Sequence, residues 1–323
     1  MLDPKRMWYV IGALAAAAIG FSWMRQASRE VPAEPVAIIA TQDGAKAGTD
    51  TLTRGQCLAQ ANRVWVTLED GAECIAYIAP DSRTTSSTAV LFFEGDVPDE
   101  DMAPARMSKI VAAYQRHVTE AQSQFGLPVI VVARPGLMGS SGFHLIGGLR
   151  DEGEVMNAAI DAIKQRYGFQ RLALAGQSGG ARIVAQLLVL GRRDVACAVM
   201  GSGAYGVPLA RRGGHIATNI FGEPGRRYLV PMHHGDGIVS SSDRRAFVIG
   251  DPRDVRTPFD GQREWAEKMQ ALGHHAMLLE GSAQDPEHHG LSVTALNVAA
   301  MCASGKTDQE IAEQVKAEWS LRR

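Results

Sequence analysis

The stretch RLALAGQSGGARIVAQLLVL, Arg171–Leu190, decides how the rest of the chain is read. Leu172–Ala175 is a short apolar run, Gly176-Gln177-Ser178-Gly179-Gly180 interrupts it, and Ala181–Leu190 has the composition of a buried helix. The interruption has the pattern G-x-S-x-G between a strand and a helix, which is the context of a nucleophile elbow. A serine at so sharp a turn sits in strained backbone, so the residues two before and two after it must be small. Gly176 and Gly180 meet that demand, and Gly179 relaxes it further. The turn lifts the hydroxyl clear of the strand. It also sets the Gly179 N–H at a helix N-terminus, where peptide dipoles favour a developing negative charge. The competing reading is a glycine-rich turn whose serine merely caps the helix. A catalytic role for Ser178 therefore requires an acid and a base downstream, in the order Ser, Asp, His.

A chain of 323 residues has room for one large α/β domain or two smaller ones. Its 33 basic and 35 acidic residues nearly balance and form no basic block, which argues against a nucleic-acid partner. A hydrophobic content of 46% supports a packed core.

The N-terminus departs from this composition. Lys5 and Arg6 precede Met7–Met24, an uncharged, mostly apolar stretch of about 18 residues closed by Arg25. Trp8, Tyr9 and Trp23 lie near its ends, as interfacial anchors do. A cleaved signal peptide has a shorter apolar core and an Ala-x-Ala-like exit, whereas this stretch runs straight into Trp23-Met24-Arg25 without a clean site. The expectation is an uncleaved membrane-anchor helix over residues 1–25, with Lys5 and Arg6 inside. Residues 26–55 would be a linker, and the catalytic domain would lie in the periplasm, tethered to the inner membrane. The alternative is secretion after signal cleavage, and either reading exports the remaining chain.

Four cysteines fit export. Cys57 and Cys74 flank a hairpin and are candidates for one disulfide. Cys197, in a strand-like run, and Cys302, in a terminal helix, read as buried small hydrophobes. No C-x-x-C or His/Cys spacing points to zinc. The adjacent rings of His233 and His234, beside Asp236, do not converge easily on one ion, so no metal and no cofactor is expected.

Residues 56–323 alternate between strand and helix patterns. Arg63–Leu68 and Glu73–Ala79 make a hairpin about Asp70-Gly71. Buried-strand runs follow at Ala89–Phe93, Pro128–Ala133, Leu172–Ala175, Val195–Met200, Arg245–Ile249 and His275–Leu279. Helices are expected over Met107–Phe125, Asp151–Tyr167, Ala181–Leu190, Gln262–Leu272, Leu291–Ala303 and Gln309–Trp319. The alternation predicts an α/β fold, a mostly parallel central sheet with helices on both faces and an antiparallel edge. The irregular segment 204–243 reads as a cap over the active-site edge, with Tyr205, Ile220, Phe221, Tyr228 and Leu229 as candidates to line an acyl or leaving-group pocket.

In a parallel sheet the strand C-termini share one edge, and ligand chemistry gathers there. The run Arg245–Ile249 empties into Gly250–Pro258, which holds Asp251 and Asp254. The last strand empties into Asp285–Leu291, which holds His288 and His289. With G-x-S-x-G upstream, this order resembles the α/β-hydrolase superfamily over roughly residues 60–305. The resemblance implies Ser178 as nucleophile, one of these aspartates as the acid and one of these histidines as the base. Family members often carry proline four residues after the acid, as Asp254 and Pro258 do, which favours Asp254 over the alternate Asp251. They often carry a small and then an apolar residue after the base, as His289-Gly290-Leu291 does, which favours His289 over the alternate His288. The oxyanion donors implied are the Gly179 N–H and an N–H near Gly95–Asp96. Many relatives have His-Gly there, where this chain has Glu94-Gly95. Glu94 is expected to turn toward solvent or an arginine such as Arg134, and for Glu94 and Asp96 a solvated loop is an equally good reading.

The resemblance thus implies a serine hydrolase that cleaves an ester, thioester or amide of a small-molecule or peptide substrate through an acyl-enzyme. Two alternatives stand beside it. One is a prolyl-oligopeptidase-like serine peptidase, against which no propeller-sized domain precedes residue 60. The other is a non-catalytic hydrolase-fold binding protein of the cell envelope.

Overall fold

The apolar runs of the sequence assemble into a single eight-stranded sheet in the computed structural model, which describes residues 52–69, 71–80, 85–97, 102–144, 152–206 and 229–320. The apolar segment Met7–Met24, the linker up to residue 51 and residues 207–228 of the expected cap lie outside the described residues. Among the described residues, no helix is long and apolar enough to cross a membrane.

The strands are β1 (Arg63–Leu68), β2 (Gly71–Ile78), β3 (Thr88–Phe93), β4 (Val129–Val132), β5 (Arg171–Gln177), β6 (Val195–Gly201), β7 (Arg245–Gly250) and β8 (Ala276–Glu280), in the order β1-β2-β4-β3-β5-β6-β7-β8. The β1–β2 hairpin is antiparallel and joins β4 antiparallel through Tyr77↔Val132. From β4 to β8 every pairing is parallel. Placing β3 between β4 and β5 sets its C-terminal loop beside the end of β5, where the serine turn begins.

Alternation along β5 divides the core in two. Leu172 and Leu174 pack on one face with Met156 of α3 (Glu152–Tyr167), Val184 of α4 (Gly179–Val189) and Trp265 of α5 (Phe259–Ala271). Ala173 and Ala175 pack on the other with Val118 of α2 (Pro104–Phe125), Ala295 of α6 (Ser292–Ala303) and Ile311 of α7 (Asp308–Ser320). Both faces of the parallel strands are therefore covered, which is why their sequences read as continuous apolar runs. Pro104 opens α2, where its missing N–H costs nothing, and Gly126 closes it in left-handed backbone at φ 67°. A short helix, α1 (Arg54–Leu58), forms where the linker was expected to end; Thr53 and Gln56 cap it reciprocally.

Two expectations are corrected here. Cys197 and Cys302 are not separate buried thiols. They form a disulfide that bolts α6 to β6, in addition to the Cys57–Cys74 bridge between α1 and β2. The second correction concerns the cap. Tyr205 is buried in the core and stacks on Trp265 at 5.5 Å, while the Leu229 carbonyl accepts from Gln186 Nε2 at 2.9 Å. Both residues fasten the chain against the α3–α4–α5 face instead of lining a pocket. Ile220, Phe221 and Tyr228 lie outside the described residues.

The two bridges close loops of 17 and 105 residues. In the chain-entropy account, the longer loop gives about 1.5 kcal/mol more stabilisation. Urea unfolding of Cys197→Ala/Cys302→Ala should therefore show a larger loss than that of Cys57→Ala/Cys74→Ala. Equal losses would show that native packing, not loop closure, sets the contribution.

Candidate active site

The end of β5 and the start of α4 meet so closely that side chains are excluded. A Cβ on Gly176 would lie 2.3 Å from the backbone of Gly180, and one on Gly180 would lie 2.0 Å from the Phe93 carbonyl. Between them Ser178 adopts φ 54°, ψ −118°, a conformation that non-glycine residues avoid and that persists only where the surroundings impose it. Its N–H donates to the Gly201 carbonyl at the end of β6, at 2.8 Å. Its side chain makes no capping hydrogen bond to α4, so the helix-cap reading does not describe this serine. Gly179 opens α4, and its N–H belongs to the first turn, which has no intrahelical acceptor.

The two candidate Asp–His pairs differ sharply. His289 and Asp254 are both buried, and His289 Nδ1 lies 2.9 Å from Asp254 Oδ2. Asp254 Oδ1 accepts from the N–H groups of Arg256 and Thr257, at 2.8 and 2.9 Å. The Thr257 hydroxyl lies 2.7 Å from Asp254 Oδ2 and 2.9 Å from the Ser202 carbonyl, and sits 3.3 Å from His289 Nδ1. The alternates are held apart. His288 Nδ1 is 3.8 Å from Asp251 Oδ2, beyond hydrogen-bond range, and His288 itself sits at φ 54°. Asp251 is fully buried and spent elsewhere, on Arg253 (N–H, Nε and Nη2) and on the Ala283 N–H. Burial pushes its carboxyl up, but those bonds outweigh burial and hold it below the usual carboxylate range.

Two residues that sequence reasoning passed over tie the His289 loop to the serine turn. Gln177, next to Ser178, donates through Nε2 to the His289 carbonyl at 3.0 Å. Asp285 accepts from the N–H groups of Glu287, His289 and Gly290, at 3.1, 3.1 and 2.6 Å. Burial opposes ionisation of Asp285, yet these donors hold its carboxyl below the ordinary range. The only signal for this role was an acidic residue opening a turn four positions before His289.

The loop after β3 corrects the reading of Glu94 and Asp96. Asp96 is not a solvated residue: its Oδ1 pairs with Arg134 Nη1 at 2.8 Å and with Arg182 Nη2 at 3.5 Å. Arg134 is fully buried, pairs also with Glu152 at 2.7 Å, and donates to the Glu94 carbonyl at 3.2 Å. Burial would lower its pKa, but Glu152 and Asp96 raise it. The Glu94 side chain is half-buried on the cavity wall, and the Arg134 charge acts on it without a direct hydrogen bond to its carboxylate. The carboxylate folds back to accept the Gly95 N–H at 2.8 Å, and burial raises its pKa. Gly95 lies over the serine turn, since a Cβ there would be 2.7 Å from Gln177 Oε1 and 3.1 Å from Ser178 Cβ. Of the expected oxyanion donors, Gly95 thus stands beside Ser178, while Asp96 anchors the loop through its carboxylate.

A cavity of about 880 Å³ opens beside these groups, with Glu94, Asp96, Gln177, Asp285 and His289 on its wall. Val97, Ile110, Tyr114, Val293 and Leu296 supply an apolar side. Among the described residues, no cluster of three or more His, Cys, Asp or Glu side chains is placed to hold a metal ion.

His144 fastens the same loop from beneath, its Nε2 accepting the Val97 N–H at 3.1 Å. Burial lowers its pKa from 6.5 to about 4, with Arg134 adding to the effect. Below pH 6.5 the unfolded chain takes up a proton that the folded chain refuses down to about pH 4, so this contribution to stability is complete above 6.5 and falls as pH drops. Urea unfolding at pH 7 and pH 4.5 should show that His144→Asn loses about 2.5 kcal/mol less than the parent over that interval. Parallel losses in the two proteins would show that His144 is not held neutral.

No family model and no curated protein sequence matches this chain. Among solved structures, it is similar to an esterase of Pyrococcus furiosus. In one crystal form the match has 16% identity over 82% of this chain and 96% of the esterase, with a TM-score of 0.51. In a second form it has 16% identity over 79% and 90%, with a TM-score of 0.50. A thermostable carboxylesterase cloned from a metagenomic library aligns at 15% identity over 75% of this chain and 87% of that one, with a TM-score of 0.47. With strand order β1-β2-β4-β3-β5-β6-β7-β8 and a strained serine between β5 and α4, the chain has the α/β-hydrolase fold.

Proposed function

We propose that this chain is a serine hydrolase acting on an ester, thioester or amide. The observation that carries the reading is the buried His289–Asp254 pair, fastened by Gln177 to the loop of the strained Ser178. His289 takes the Ser178 proton as Oγ attacks the substrate carbonyl carbon, and Asp254 holds the imidazole orientation and stabilises the imidazolium. The carbonyl electron pair becomes an oxyanion facing the Gly179 and Gly95 N–H groups. Collapse expels the leaving group, which takes the proton from His289 and leaves an acyl-serine. Water then attacks with His289 as base, and Ser178 regains its proton.

The apolar side of the cavity supports an acyl or leaving group of medium size. The two disulfides support an oxidising compartment, consistent with export behind an anchor at Met7–Met24.

Labelling by a fluorophosphonate probe tests the chemistry directly, because a non-catalytic binding protein of the same fold does not label. Ser178→Ala should abolish labelling and lower hydrolysis of p-nitrophenyl esters by about three decades or more, with little change in thermal midpoint. Most of the activity surviving in the purified variant would sink the assignment of Ser178.

Acid and base are separated by substitution. Asp254→Asn and His289→Ala should each cost about four decades in kcat. Asp251→Asn and His288→Ala should cost less than about tenfold in kcat/KM, an effect of order 1 kcal/mol. A reversed pattern within either pair would reassign that member, and indifference of all four would end the triad reading.

A further inference from the structure

Four carboxylates line the cavity, and three of them are compensated. Asp96 faces Arg134 and Arg182, Asp285 takes three backbone N–H groups, and Glu287 pairs with Arg256 at 2.7 Å. Glu94 differs. Among the described residues the hydrogen bond its carboxylate accepts comes from the Gly95 N–H; Arg134 donates to the Glu94 carbonyl and acts on the carboxylate only through its charge, which burial outweighs. Gly95 itself lies over the serine turn, since a Cβ there would be 3.1 Å from Ser178 Cβ, and in the proposed mechanism its N–H receives the carbonyl oxygen. One carboxylate therefore sits where the substrate carbonyl oxygen must come, and its charge opposes the charge that develops there.

We propose that Glu94 is a specificity-determining latch that selects substrates carrying an ammonium group next to the scissile carbonyl. In the empty site the carboxylate occupies the Gly95 N–H. A substrate ammonium one or two bonds from the carbonyl carbon draws it off by pairing with it, and the carbonyl oxygen takes the vacated N–H. The pairing also neutralises the negative charge closest to the oxyanion. A substrate without a cation must displace the carboxylate unaided and then react beside it. This explains why a half-buried carboxylate with a pKa raised by its surroundings is kept on the cavity wall. The chemistry selected is an α- or β-amino acyl group, and the apolar side of the cavity accommodates the remainder of the molecule.

The inference rests on the serine-hydrolase reading, and its test keeps the two distinguishable. The full-length chain is assayed at pH 7 on β-naphthyl esters of alanine, N-acetylalanine and propionate; an α-amino group is largely protonated at that pH. The parent should show kcat/KM at least about tenfold higher for the alanine ester than for the other two. Glu94→Gln, which keeps size and removes charge, and Glu94→Ala should bring that ratio to near one, with a gain on the propionate ester. Fluorophosphonate labelling and a thermal melt of each variant report an intact serine and fold. A parent that prefers the propionate ester, or Glu94 variants that label normally and keep the parental ratio, would overturn the latch and leave the hydrolase reading standing. A parent that neither labels nor turns over any ester would overturn both.

Discussion

The buried guanidinium of Arg134 is the fixed point about which the site is built. Three segments remote in sequence converge on it: the β3 loop through the Glu94 carbonyl and Asp96, the start of α3 through Glu152, and β4, from whose end it projects. Arg182 of α4 closes the network by approaching both acids. Such a group adds little net stability when whole, because desolvation offsets attraction, but losing one partner strands the other charges and costs about 3–5 kcal/mol. Its consequence here is positional. Gly95 lies over the serine turn because its loop is pinned on both sides to one buried cation.

His289 is held by a different principle. Where Arg134 uses charge against charge, the His289 loop is held by neutral donors gathered on a carboxylate, Asp285, and by one amide, Gln177, reaching across from the serine turn. Thr257 adds a hydroxyl that spans Asp254, the Ser202 carbonyl and the edge of the His289 ring. Asp254 and His289 thus come from separate loops, yet each is tied to a strand end, Asp254 through Thr257 to Ser202 after β6 and His289 through Gln177 to β5. Close packing at Gly176 and Gly180 imposes the strain at Ser178, and these ties surround it without relieving it.

Much of this was legible in the sequence, for physical reasons that also mark where legibility stopped. Parallel strands covered on both faces appear as unbroken apolar runs, so Ala89–Phe93, Leu172–Ala175 and Val195–Met200 were recognisable. The elbow was recognisable because only glycine fits at Gly176 and Gly180. Asp251 and Asp254 share one loop; Pro258, four residues on, favoured Asp254, but that Arg253 consumes Asp251 emerges only from side-chain geometry. The direction of Glu94 depends on a rotamer and on what Arg134 already holds. The pairing of Cys197 with Cys302 joins residues 105 apart and follows from tertiary placement alone.

That last bond changes how Ser178, Asp254 and His289 are connected. Along the backbone, Ser178 precedes Cys197, whereas Asp254 and His289 fall between Cys197 and Cys302. Cutting one peptide bond between β6 and β7 would separate Ser178 from Asp254 and His289 in the chain, but not in the molecule. The two pieces would remain a single covalent species, joined at the floor of α6, and would part only under reduction. In an environment rich in proteases, the integrity of this site is therefore governed by the redox state of its surroundings as much as by the continuity of its backbone.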